Sequence, residues 1–414
     1  MSRDHGLVHR GLTRRGVLSA GMALCFAGVA EAVGETLEAQ WANILRSGRG
    51  QHVVFDARGG DERTNAFIVW AGGRVRDLYG VEVLHVKLRD TAEAVTRLAA
   101  EKAAGKTRDG SADLVWVAGQ NLLAMRDKGL LDGPVLDLLP GSRLVALEKN
   151  PSTTMVRMVP LDGYAVPWRV AQLVFIHDMR GGEEAPGNIP AVLDWALRNP
   201  GRLTHPGLRD ACGVAFLEQA LRELVSDAEM LHHPMTPDAF AAAAVPLWNW
   251  YDRLRPVLWQ GGKVFPTSQS QLRGLMKEGK IDLAMSLDPS EAVTAIAAGT
   301  LPPTARAYVL EGGTIGHCSF LAVPFNAAHR EGALLLANFL LSPEAQARAS
   351  DPRFLGVPTV LAMDRLSADD YVFFDAVPRA PNLLSDAERG VPLREPHTSW
   401  VHLIVEAWDR RYGA

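Results

Sequence analysis

Cysteine is scarce in this chain, with three in 414 residues, and tyrosine is limited to six scattered positions. Cys25 lies in an N-terminal apolar run, so only Cys212 and Cys318 remain for the folded part. In an oxidising compartment they are able to pair only if their Cα atoms come close, and the reading here is two buried thiols. There is no G-x-S-x-G, H-E-x-x-H or P-loop sequence. Arg58-Gly59-Gly60-Asp61 is too short for a dinucleotide fingerprint. No excess of positive charge marks a nucleic-acid partner, since the formal net charge is -4. No apolar stretch is long enough to span a bilayer comfortably. Internal repeats and low-complexity segments are also missing. The adjacent pair His232-His233, before Pro234, reads as a solvated loop rather than a metal site. No cofactor is expected.

What is present begins with an export pattern. Arg3, Arg10, Arg14 and Arg15 precede an apolar run over residues 16–29. Thr13-Arg14-Arg15-Gly16-Val17-Leu18 matches a twin-arginine motif, and Ala30-Glu31-Ala32 suits signal peptidase. Residues 1–32 are therefore expected to be a cleaved signal, placing the mature protein in the periplasm with a net charge of -6. Leu24 stands where a lipoprotein signal takes a small residue before its Cys, which favours cleavage over lipidation.

The remaining length suits two domains, and a hydrophobic fraction of 47% supplies a sizeable core. Residues 279–346 organise the chain. Residues 281–287 form an apolar run typical of a buried strand. Asp288, Pro289 and Ser290 stop it and cap a helix over 291–298. A strand over 305–310 is followed by the turn glycines Gly312, Gly313 and Gly316 and by a strand over 317–323. Ala333, Leu336, Ala337, Leu340 and Leu341 then mark one helical face.

Upstream, a helical lead-in is followed by strands over 52–56, 81–88 and 112–118, which alternate with helices and predict a parallel α/β lobe. Asp90-Thr91-Ala92-Glu93 has the form of a capping box. Residues 134–166 are punctuated by Pro and Gly and leave no assignment. Pro167-Trp168-Arg169 enters a strand over 172–177. A second α/β lobe then follows, with a strand over 201–205 and helices over 189–197, 214–224, 238–259 and 269–277. After Gln346 the chain is irregular until an amphipathic helix carrying Trp400, Leu403, Ile404 and Trp408.

The order of elements in 279–346, the Leu341-Ser342-Pro343-Glu344-Ala345-Gln346 ending and the Asp113-Leu114-Val115-Trp116 strand resemble ABC-transporter substrate-binding proteins. The group is the bilobed type II set that includes polyamine and thiamine binders. The resemblance implies a two-lobed α/β periplasmic binding fold with a ligand cleft between the lobes. Residues 33–170 and 317–350 would form the first lobe and 171–316 the second, with 351–414 packing on the second. It also implies a monomer that binds a small molecule and meets an ABC permease in the inner membrane. A secreted enzyme or a ligand sensor on the same fold is the alternative.

Ligands of parallel sheets bind beyond the carboxyl ends of the strands. That rule selects Gly59, Gly60, Asp61, Gln120, Asn121, Asp210, Cys212, Asp288, Thr314 and His317, with Trp168 at the crossover. Asp61, Asp210 and Asp288 suit an amine, on which Trp168 would stack. Helix N-termini suit an anion equally. Polyamine binders line these loops with aromatics, whereas Ser286-Leu287 and Ile315-Gly316-His317 stand here. Iron binders of the group use tyrosine, often as adjacent residues, which the scattered tyrosines do not match. The ligand's identity and charge stay open.

Overall fold

A computed structural model describes Met1 and residues 37–413, apart from positions 61, 149, 379 and 381. The expected signal and Asp61 lie outside the described residues.

The strands are β1 (His52–Arg58), β2 (Glu82–Leu88), β3 (Leu114–Ala118), β4 (Met155–Val156), β5 (Val159–Pro160), β6 (Val166–Gln172), β7 (Val174–Asp178), β8 (Leu283–Ser286), β9 (Ala305–Tyr308) and β10 (Gly316–Ala322). One sheet has the order β2-β1-β3-β10-β6 and another has β8-β7-β9. β1 is parallel to β2 and β3, and β10 is antiparallel to both β3 and β6. β6 therefore runs in the same direction as β1. β7 follows β6 after a single residue, Leu173, and is antiparallel to β8 and β9. The chain thus crosses between sheets at Leu173 and returns between β9 and β10.

Each sheet carries its own core. Phe55, Leu98, Trp116, Trp168, Phe320 and Leu336 belong to one cluster, and Phe175, Trp195, Phe216, Tyr251, Leu283 and Ile404 to the other. The helix Arg330–Leu340 buries not only its expected face but Leu334 and Leu335 as well. Burying each of its leucines contributes about 1.5–3 kcal/mol. The tail, expected to pack on the second lobe, divides between the cores instead: Leu355, Val357, Val360 and Leu361 join the first, while Trp400, Ile404 and Trp408 join the second.

Two expected elements differ. Residues 201–205 form no strand but a single parallel bridge, Leu203 to Leu283. The long helix expected over 238–259 is divided into Pro237–Ala243 and Val245–Leu254, with Pro246 in the first turn of the second helix. Proline has no N–H to continue the earlier helix and its ring excludes the preceding turn. Of the capping box expected at Asp90 only the return half forms: Glu93 Oε1 accepts from Asp90 N at 3.2 Å, whereas Asp90 Oδ1 accepts from Ala92 N at 2.8 Å and Thr91, before the helix, supplies no side-chain cap.

At the crossovers, Leu173 N donates to Ile315 O at 2.8 Å. The tail lies alongside: Leu393 N donates to Thr314 O at 2.9 Å and Gly316 N to Leu393 O at 3.0 Å. A Cβ on Gly316 would lie 2.4 Å from Pro392 Cβ, so this approach requires glycine. Gln172 Nε2 reaches Thr314 Oγ1 at 3.3 Å and Arg389 O at 3.0 Å.

Candidate ligand-binding site

Strand directions place the candidate site. The carboxyl ends of β1, β3 and β6 face the junction of the lobes. β7 leaves that junction, so antiparallel β8 returns to it and delivers Ser286 to Asp288 there. The Leu203 bridge is parallel to β8 and carries the chain back to Asp210 at the start of the helix Ala211–Leu224.

From the first lobe come Arg58 at the end of β1 and Gly59 after it, Gln120 and Asn121 after β3, and Arg169 within β6. Gly59 N donates to Leu88 O at 2.9 Å, and a Cβ at this position would meet Lys87 Cβ at 2.3 Å. Gly59 is therefore a close-packing residue, while Gly60 is exposed. Asn121 Nδ2 lies 3.4 Å from Asp90 Oδ1. The helix Gly119–Asp127 has no side-chain cap at Ala118, so its first N–H groups favour negative charge.

The second lobe supplies carboxylates. Asp210 Oδ1 accepts from Cys212 N at 2.8 Å. Burial raises the Asp210 pKa, while Arg58 of the opposite lobe opposes that shift through its charge. Asp288 Oδ1 accepts from Ser290 N at 3.0 Å and from Ser290 Oγ at 2.9 Å. Its Oδ2 faces Arg169 Nη2 at 3.7 Å, across the junction. The guanidinium carbon of Arg169 lies 5.7 Å from the Trp116 ring centroid, a cation–π placement. Behind Asp288, Glu291 pairs with Arg273 and accepts from Ser286 Oγ at 3.2 Å. Burial raises its pKa against the pull of Arg273.

Some sequence-selected residues take other places. Trp168 is 2% exposed in the first core, edge-on to Trp116 at 4.7 Å and stacked with Phe67 at 6.1 Å. It has no face left for a ligand, because alternate residues of β6 point to opposite sides. Its neighbour Arg169 is the one that reaches the junction. Thr314 is buried at the crossover, its hydroxyl donating to Leu173 O. Cys212 is buried beneath the Asp210 cap, and burial raises its thiol pKa well above the ordinary value. Cys212 and Cys318 are both free, one in each core. His317 pairs with Ala171 on β6, and burial lowers its pKa. Gln120 Nε2 donates to Thr398 Oγ1 of the tail at 2.7 Å. A groove of about 410 Å³ opens there, lined by Gln120, Thr398 and His402 among others. Sequence reasoning missed Arg58, Arg169 and Trp116. Strand alternation sets Arg169 on the opposite face from Trp168 without saying which face the core covers.

The sequence profile of the bacterial extracellular solute-binding protein family matches residues 76–370. Protein YnjB of Escherichia coli is 35% identical over 380 residues, covering 91% of this chain and 95% of the relative. Among solved structures, an ABC transporter protein from Clostridium perfringens superposes with TM-score 0.62 at 15% identity, covering 87% of this chain and 99% of its own. The periplasmic binding protein AfuA from Actinobacillus pleuropneumoniae, with fructose-6-phosphate bound, gives 0.59 at 13% identity, covering 87% and 98%. The spermidine/putrescine substrate-binding protein PotD from Streptococcus pneumoniae gives 0.57 at 14% identity, covering 88% and 100%. The fold is thus that of two-lobed periplasmic binding proteins, and the chain belongs to the bacterial extracellular solute-binding protein family.

Proposed function

We propose that this solute-binding protein captures a small molecule between its lobes and hands it to the permease of an ABC importer. The observation that carries the site is the Arg169–Asp288 approach across the lobe junction, at 3.7 Å. Residues 33–170 with 317–350 move as one body and 171–316 as the other, about the paired crossovers at Leu173 and Ile315. A solute touching both bodies favours the closed arrangement, since only closure provides both sets of contacts. The solved relatives named as ABC-transporter components support delivery to a permease. The protein acts as a monomer and returns its solute unaltered. Its address is the periplasm, reached through the twin-arginine signal and cleavage after Ala32.

The test is uptake. Deleting the gene should stop accumulation of the solute that the purified protein retains, and restoring it should recover uptake. Unaltered uptake in the deletion strain would reject the transport role.

A further inference from the structure

Two residues beyond Asp288 the lobes meet again, this time through backbone. Ser290 is fully buried at the start of the helix Glu291–Ala297. Its Oγ donates to Asp288 Oδ1 at 2.9 Å and lies 3.4 Å from Leu355 O. Leu355 and Val357 belong to the first core, whereas Ala292 and Ala295 belong to the second. Between the two first-core residues stands Gly356, with φ of 68°. A Cβ there would lie 2.5 Å from Ser290 Oγ and 2.8 Å from Ser290 Cβ. Glycine is thus required twice, for its left-handed backbone and for the closeness of the other lobe.

We propose that the contact of Gly356 with Ser290 is the stop that fixes the angle at which the two lobes close. This rests on the lobe motion of the solute-binding reading and specifies what ends it. Each side of the contact is held by its own lobe. Gly356 N donates to Asp351 O and Val357 N to Ala349 O, both at 3.0 Å, which ties the turn to the helix Pro343–Ser350. Ser290 N donates to Asp288 Oδ1 at 3.0 Å, and Ser290 O accepts from Thr294 N at 3.0 Å. Arg169 with Asp288 and Arg157 with Glu218 also join the lobes. Each of those pairs uses an arginine, whose rotatable bonds let the side chain follow a change of angle. A backbone carbon against a Cβ has no such slack, and close-packed atoms resist further approach steeply. The hinge therefore turns until Gly356 seats on Ser290.

The experiment is small-angle X-ray scattering on the mature chain as purified from its own periplasm. Wild type should give the radius of gyration of the structure. Gly356→Ala sets a Cβ against Ser290 and should enlarge that radius. Ser290→Val fills the contact from the other lobe, at a right-handed helical position, and should enlarge it without left-handed strain. The double variant S290G/G356A keeps the strain of alanine at 356 but removes the Ser290 atoms that it would meet. It should return to the wild-type radius. Native mass spectrometry of the same samples should show loss of retained small molecule in both wedged variants and its recovery in the double variant. A wild-type radius in the folded single variants overturns the stop. So does a double variant as expanded as Gly356→Ala, or a wild type already expanded to that size. If Gly356→Ala does not fold, Ser290→Val alone decides. Wild type without a bound molecule counts against solute capture, whereas the stop is still read from the scattering.

Discussion

Arg157, at the tip of the β4–β5 hairpin, forms an ion pair with Glu218, a fully enclosed residue of the second-lobe helix Ala211–Leu224. Arg157 Nη2 also lies 3.3 Å from Glu395 Oε1 in the tail, and Arg157 O accepts from Thr398 N at 3.2 Å. One first-lobe side chain thus ties together the second lobe and the tail. Arg157 and Met158 have φ of 48° and 65°, a left-handed pair that turns the hairpin tightly at some conformational cost.

Arg157→Met should destabilise the protein by about 3–5 kcal/mol, because it leaves two acids without their cation. Urea unfolding of wild type and variant measures this. Loss of less than about 1 kcal/mol would mean the pair contributes no more than an exposed one.

Glu218 gives the pair a pH signature. Burial raises its pKa to about 7 from 4.5, against the opposing pull of Arg157. A carboxyl raised on folding stabilises below its unfolded pKa and loses that contribution as pH rises through the folded value. The stability difference between wild type and Glu218→Gln should therefore shift against wild type between about pH 4.5 and about pH 7. Unfolding measured at both ends of that window checks the direction.

His205 acts in the opposite sense. It is buried between Pro206 O at 2.7 Å and Tyr251 Oη at 2.8 Å, and burial lowers its pKa to about 4 from 6.5. Its contribution is complete above pH 6.5 and is lost as pH falls through 4. The shift corresponds to about 3 kcal/mol. Wild type should lose that much more stability than His205→Gln across the window, as read from urea midpoints.

Trp168→Ala should cost about 3–5 kcal/mol of stability by opening a core cavity. Solute affinity measured well below the unfolding transition should change little. A large loss of affinity with an intact fold would return Trp168 to the site.

Export has its own test. Arg14→Lys with Arg15→Lys should leave uncleaved precursor in the cytoplasm, since lysine does not reproduce a specific guanidinium contact. Normal periplasmic appearance of the double variant would reject the twin-arginine route.

Much of the architecture was legible because local patterns and tertiary needs agree. β3 is an apolar run, β1, β2 and β10 are rich in strand-forming residues, and each falls close to its expected place. The Leu203 region misled because its residues are strand-like but Thr204, His205 and Pro206 leave the sheet after one bridge. At the candidate site, strand ends located Asp210 and Asp288. Asp288 does two things at once: one oxygen accepts from Ser290 N and Oγ, which does not cap the helix at Glu291 as the sequence suggested, and the other faces Arg169. Adjacency could not say which of Trp168 and Arg169 points inward, since that depends on which face of β6 the core covers. Arg157 was out of reach of sequence reasoning. Its partner Glu218 lies 61 positions away and in the other lobe.

The most direct measurement is native mass spectrometry of the mature protein purified from its own periplasm. The account predicts one small molecule per chain, released on unfolding and retained much less by Asp288→Asn prepared in the same way, a variant that keeps an acceptor for Ser290. Wild-type protein with no bound molecule, or equal retention by the variant, would contradict the claim that the junction at Arg169 and Asp288 is where the solute binds.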